Sequence, residues 1–222
     1  MKKPRLIVFD VNETLLDLSA MKSAINTAAG EPGAFENWFR TLLQFAMAES
    51  LSGPYRDFGE IGKHTLEMTF QNLGKDLHRE EADQLLGHIS ALPPHPEVPA
   101  ALKKLKESGY RMVTLTNGGL RTHKQQMQHA RLEEYFDVFY SVEAVKKFKP
   151  HPETYNYVLQ SEGYKPSETM LVAAHAWDIL GAQRAGCKTG FLKREGKVLY
   201  PGGIYPDMVT ETLDALVYQL TT

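Results

Sequence analysis

Short, branched apolar runs that close on polar residues alternate along this chain with segments of helical period, and this alternation restricts the fold more than any other feature. RLIVFD is the first such run and ends at Asp10. YRMVTLTNGG, FDVFYSVEAV, ETMLVAAHAWD and CKTGFLKR read as further strands, the last as the final strand of the sheet. Between them, PEVPAALKKLKESG, PETYNYVLQSEG and ILGAQRAG read as helices, the first closed by a glycine C-cap, and ETLDALVYQL as a terminal helix. Alternation of this kind predicts an α/β fold with a Rossmann-like parallel sheet covered on both faces. Ligands of such sheets bind beyond the C-terminal strand ends, where Asp10, Thr116, Asn117 and Asp178 are expected to converge.

Residues 18–92 follow a different rule. ENWFRTLLQFAMAESL, FGEIGKHTLEMTFQNLG and REEADQLLGHISAL are helical in pattern, and LPPHPEVP then breaks the period. The expectation is a helical cap domain spanning 18–92, inserted into a core domain made of 1–17 and 93–222. No internal repeat or low-complexity tract interrupts either part.

Charge narrows the classes of partner. With 25 basic and 27 acidic side chains the net charge is −2, which argues against nucleic acid or a membrane surface and leaves a small-molecule role. No apolar run approaches the roughly 20 residues needed to cross a bilayer. MKKPRLIVFD has too short an apolar run for a signal peptide. The single cysteine, Cys187, rules out an internal disulfide and fits a reducing compartment, so a cytoplasmic protein is expected.

VFDVNETLLD carries the chemistry that the rest must support. A carboxylate held at a strand tip can act as a nucleophile, and Asp10 is so placed. Two residues later stands Asn12, which has no proton to give. A phosphate ester expels an alkoxide, which needs a proton, whereas a halide leaves as a stable anion and does not. Asn12 therefore weakens a phosphatase reading. Taken alone, Asp10 and Asn12 are also ordinary turn residues.

In order and spacing, DVNETLLD, LTNGG, FKPHPETY and AAHAWDILGAQRAG resemble the four motifs of the haloacid dehalogenase superfamily. WFRTLLQFAMAESLSGPYRDF is similar to the cap segment of its type II L-2-haloacid dehalogenases. The resemblance covers nearly the whole chain. It implies hydrolysis of small 2-haloalkanoic acids to 2-hydroxy acids through an aspartyl ester, with water as co-substrate, no metal, no cofactor and a homodimeric state. A phosphatase-type hydrolase on the same scaffold, or a catalytically weak protein that binds small acids, are the alternatives.

The resemblance also assigns roles. Asp10 becomes the nucleophile, Lys149 the cation that keeps it ionised, and Asp178 the partner of Lys149. Thr116 and Asn117 become holders of the Asp10 carboxylate or of substrate. Arg40 is expected to grip the substrate carboxylate or the departing halide. Val11, Asn12, Trp177, Phe45 and Tyr55, with Phe58, are expected to line the substrate pocket. The chain departs from the type II pattern at three positions. Asn12 replaces an aromatic residue, Ala173 a serine and His175 an asparagine. His175 is open to two readings, a general base for ester hydrolysis or a hydrogen-bond donor to Asp10.

Overall fold

The computed structural model describes residues 3–222. Six strands form one parallel sheet in the order β3-β2-β1-β4-β5-β6. They are β1 (Leu6–Phe9), β2 (Arg111–Thr116), β3 (Val138–Ser141), β4 (Thr169–Ala173), β5 (Lys188–Leu192) and β6 (Met208–Thr210). All four residues of β1 are buried, as a central strand covered on both faces requires. Phe9 pairs with Thr114 on one side and Val172 on the other, which puts Asp10 at the tip of the central strand. The order reverses between β1 and β4, so the crevice there is the switch point of the sheet.

Residues 19–91 contribute no strand to this sheet. They form α1 (Ser19–Ala29), α2 (Ala34–Ser52), α3 (Phe58–Asn72), α4 (Arg79–Gly87) and a short 3-10 turn at His88–Ala91. Each helix buries one stripe, as Met21, Ile25 and Ala29 do on α1 at spacing four. The Asp57 side chain caps α3 by accepting from the Gly59 and Glu60 amides. Trp38 Nε1 donates to the Gly62 carbonyl at 2.9 Å, locking α2 to α3. The chain crosses between helices and sheet twice, and the crossings are bonded to each other. His95 N donates to Leu15 O at 2.9 Å, and Asp17 N to Pro93 O at 2.8 Å.

The remaining helices cover the sheet. α5 (Val98–Glu107) packs with α9 (Leu213–Thr221), and α7 (Pro152–Glu162) with α8 (Ala176–Arg184), while α6 (Leu120–His129) follows β2. Three boundaries differ from the sequence expectation. CKTGFLKR is not the final strand, because the three residues of β6, too short to carry a period, extend the edge beyond β5. FDVFYSVEAV is extended only as far as Ser141, whose hydroxyl caps a 3-10 turn. β4 stops at Ala173, so Asp178 lies in the first turn of α8 rather than at a strand end.

Candidate active site

Lys149 is the centre of the site. Its ammonium is 1% exposed and donates to Asp10 Oδ1 at 2.8 Å, Asp178 Oδ2 at 2.7 Å and the Leu115 carbonyl at 2.9 Å. All three protons are thereby used. Burial works against a charged lysine, but the two carboxylates outweigh it and raise its pKa. Asp178 is completely buried, and its other oxygen accepts from the Tyr155 hydroxyl at 2.6 Å. Burial and the nearby Asp10 charge push the Asp178 carboxyl up, against the pull of Lys149. At Asp10, burial likewise favours the neutral form, but Lys149 and His175 prevail and hold the carboxyl far below the usual range. Asp10 is therefore an anion at neutral pH.

The second oxygen of Asp10 has its own set of partners. Oδ2 accepts from Thr14 Oγ1 at 2.6 Å and lies 3.1 Å from His175 Nδ1. The Thr14 hydroxyl in turn accepts from the Ala174 amide at 2.9 Å, which fixes its direction. On the far edge of the imidazole, His175 Nε2 lies 2.8 Å from Glu13 Oε2, and Lys197 Nζ reaches the same oxygen at 2.6 Å. Burial opposes charge on His175, but the carboxylates on both edges push its pKa up to about 9. The ring is an imidazolium at neutral pH. It stacks on Trp177 with centroids 5.1 Å apart and faces Phe39 of α2 at 6.1 Å.

Two cavities flank this constellation, with Phe39 in the wall of both. One, about 570 Å³, is polar and takes in Glu13, Lys197, Lys22 and Arg40. The other, about 310 Å³, is apolar, with Trp38, Leu42 and Phe58 on the helical side and Asn12, Gly118 and Gly119 on the sheet side. α2 spans the site. Near its start Phe39 meets His175, and near its end Ser50 Oγ accepts from the Phe148 amide, the residue before Lys149.

The residues singled out from the sequence fall into three groups. Asp10, Lys149, Asp178 and His175 are joined in one hydrogen-bonded cluster, with Trp177 against it and 5.8 Å from the Lys149 ammonium. Asn117 and Asn12 act one step away. Asn117 Oδ1 accepts from the Lys149 amide at 2.9 Å, and Asn12 Oδ1 accepts from Gln126 Nε2 at 2.9 Å. The Thr116 hydroxyl accepts from the Gly118 amide, and no hydrogen bond joins it to Asp10. Arg40, Val11, Phe45 and Tyr55 stand outside this hydrogen-bonded cluster. Arg40 is exposed at the rim of the polar cavity. The Val11 side chain is buried in the core, and Phe45 is 39% exposed and lines neither cavity. Tyr55 stacks on Phe148 at 5.2 Å, beneath the Lys146 ammonium, and not on the pocket wall.

Sequence reading missed Thr14, Glu13, Tyr155 and Lys197. Thr14 and Tyr155 sit inside quoted motifs, VNET and HPETY, where only hydrogen bonding tells them from neighbours. Glu13 and Lys197 are 184 positions apart and carry no joint signal. Among the described residues no group of three or more His, Cys, Asp or Glu side chains is placed to hold a metal ion. The Lys149 ammonium lies between Asp10 and Asp178 and is bonded to both carboxylates.

Residues 7–192 match the family model described as haloacid dehalogenase-like hydrolase. An (S)-2-haloacid dehalogenase of Pseudomonas putida is 31% identical over 202 residues, covering 90% of each chain. A haloacetate dehalogenase of Moraxella sp. (strain B) is 28% identical over 222 residues, covering 98% of each. The same architecture occurs in the L-2-haloacid dehalogenase of Xanthobacter autotrophicus with chloropropionic acid covalently bound. That structure superposes with a TM-score of 0.90 at 22% identity and covers 98% of both chains.

Proposed function

This chain belongs to the haloacid dehalogenase-like hydrolase family, and we propose that within it the protein hydrolyses small 2-haloalkanoic acids to 2-hydroxy acids. Asp10 attacks C2 opposite the carbon–halogen bond, halide departs, and an ester links Asp10 to the inverted carbon. Water then cleaves that ester and frees the 2-hydroxy acid.

One observation carries this reading. The carboxylate at the tip of the central strand is held anionic by a buried lysine, while the residue two positions on is an asparagine whose amide oxygen is bound by Gln126. The position two residues on therefore supplies no proton for a leaving group, which suits a halide better than an alkoxide. Asp178 and Tyr155 anchor Lys149, and Asn117 fixes its backbone. Trp177 and Phe39 provide an apolar wall beside Asp10. Arg40, at the rim of the polar cavity, receives the substrate carboxylate or the departing halide.

Three further parts of the reading rest on the helical segment and on composition. Residues 18–92 serve as a cap domain over the core formed by 1–17 and 93–222, supported by the bundle of α1–α4 and the contact of Phe39 with His175. The protein is a homodimer through the outer face of α2, where Leu51 is 85% exposed and Leu43, Met47 and Ala48 line a shallow groove. It works in the cytoplasm, consistent with its single cysteine. None of its described helices is long and apolar enough to cross a membrane.

The deciding experiment is halide release from chloroacetate and 2-chloropropionate in EDTA, run beside magnesium-dependent hydrolysis of p-nitrophenyl phosphate. Halide release without phosphatase activity is expected, with Asp10→Asn inactive and heavy oxygen from labelled water recovered on Asp10. Phosphate release alone, or full activity in Asp10→Asn, overturns the reading. Sedimentation of Leu51→Asp as a monomer tests the dimer.

A further inference from the structure

The two oxygens of Asp10 are not equivalent. Oδ1 accepts one hydrogen bond, from Lys149, whereas Oδ2 faces both the Thr14 hydroxyl and His175 Nδ1. The less encumbered Oδ1 has the lone pair free to bond carbon, which leaves Oδ2 as the carbonyl oxygen of the resulting ester. When water adds to Cγ of that ester, the carbonyl pair moves onto Oδ2. Collapse then breaks the Cγ–Oδ1 bond. The product keeps Oδ1 as its hydroxyl with one proton of the water, the second proton leaves to bulk water, and Asp10 regains a carboxylate containing the water oxygen.

Esterification creates a difficulty for this step. It removes the Asp10 charge, and with it one of the two anions facing His175, before the second step begins. Glu13 remains.

We propose that Glu13 is a positioning residue. Bonded to His175 Nε2, it holds the imidazolium against Oδ2 through the covalent stage, so that Nδ1–H and the Thr14 hydroxyl together receive the negative charge that builds there. The inference rests on the dehalogenase reading and extends it. Two hydrogen-bond donors fixed on a developing oxyanion are the arrangement that stabilises acyl-transfer intermediates. The carboxylate on the opposite ring nitrogen sets the orientation of the imidazole, as the third member of a catalytic triad does.

Three observations support it. Glu13 sits at φ 61°, in the left-handed region where glycine is at ease and glutamate is not, so its side chain is placed at a conformational cost. It is mostly buried, and its carboxyl is held below the usual range because His175 and Lys197 outweigh its burial. The charged groups facing His175 are Asp10 and Glu13 from the loop after β1 and Lys197 from the loop after β5, and the Trp177 and Phe39 rings close its faces. Asp178, the other carboxylate of the cluster, is wholly buried, with both oxygens engaged by Lys149 and Tyr155.

The test follows the Asp10 adduct by mass spectrometry after mixing with 2-chloropropionate, as a function of pH, for the intact chain, Glu13→Gln and Glu13→Gly. In the unmodified protein the adduct should decay at a rate that falls at alkaline pH as the imidazolium is lost. In both variants that fall should move toward acid by about one pH unit or more, as expected for loss of an adjacent opposite charge, and the adduct should accumulate. Glu13→Gly relaxes the strained backbone, so it separates this effect from misfolding. Superimposable profiles, or decay that accelerates as His175 deprotonates, overturn the inference. Absence of any adduct or halide in the unmodified protein overturns the dehalogenase reading itself.

Discussion

Lys149 Nζ lies 2.8 Å from Asp10 and 2.7 Å from Asp178, so a single buried ammonium is shared by two buried carboxylates. Removing it leaves two buried carboxylates facing each other without their shared cation. Lys149→Met should therefore cost about 3–5 kcal/mol of stability, the range for breaking a buried ion pair. Halide release should fall by about 100-fold or more, since Asp10 loses the charge that keeps it a nucleophile. Denaturant unfolding and a halide assay check the two effects separately.

Tyr155→Phe removes one hydroxyl and leaves Asp178 Oδ1 buried without its 2.6 Å donor. A loss of about 1–3 kcal/mol is expected, the penalty for an unsatisfied buried acceptor. Activity should fall as well, because Asp178 is then free to turn away from Lys149. Thermal unfolding and kcat measured on the same preparation check both.

Gly181 has no room for a side chain. A methyl group there would collide with the Tyr155 hydroxyl and the Pro150 side chain. Gly181→Ala should cost about 1–3 kcal/mol through overpacking, and it should weaken the Tyr155–Asp178 bond. A lower melting temperature with reduced kcat is the expected result, and an unchanged enzyme would show that α7 and α8 part easily.

Stability should also depend on pH through His175. Its folded pKa, pushed up to about 9 chiefly by Asp10 and Glu13 against its burial, exceeds the roughly 6.5 of an unfolded histidine. The folded state binds the proton more tightly, so this contribution is complete below about pH 6.5 and is lost as pH rises through about 9. The melting temperature should decline over that window, and the decline should flatten in His175→Asn.

Arg40 lies at the rim of the polar cavity. Arg40→Ala should raise KM for 2-chloropropionate by about tenfold, the loss expected for one charge-assisted hydrogen bond at a partly exposed site. The adduct should still form at saturating substrate. A fall in kcat with KM unchanged would place Arg40 on the leaving halide instead.

The sheet and the main cluster were readable because both depend on local pattern. Branched apolar runs mark β1, β2 and β4, and their C-terminal ends lie along the crevice that Asp10 occupies. Lys149 and Asp178 stood out by motif, although the start of α8 was hidden because AAHAWD keeps an apolar rhythm past the end of β4. β6, at three residues, was too short to announce itself. The partners of His175 were not legible, since Glu13 and Lys197 meet only after folding brings two distant loops together. Phe45 failed for the opposite reason. Its helix is amphipathic, but a one-residue difference in phase sends a side chain outward, and sequence spacing does not fix that phase.

The paired crossings at Leu15–Asp17 and Pro93–His95 have a mechanical consequence. The two hydrogen bonds flank a single antiparallel bridge of Leu16 with Pro94, so the crossings are tied to each other at one place. Helices joined to the sheet through one tied pair of crossings have a single place about which to tilt from the strand tips. Asp10, only 5% exposed in this arrangement, would be uncovered by tilting, and each return would set Phe39 down over the same imidazole.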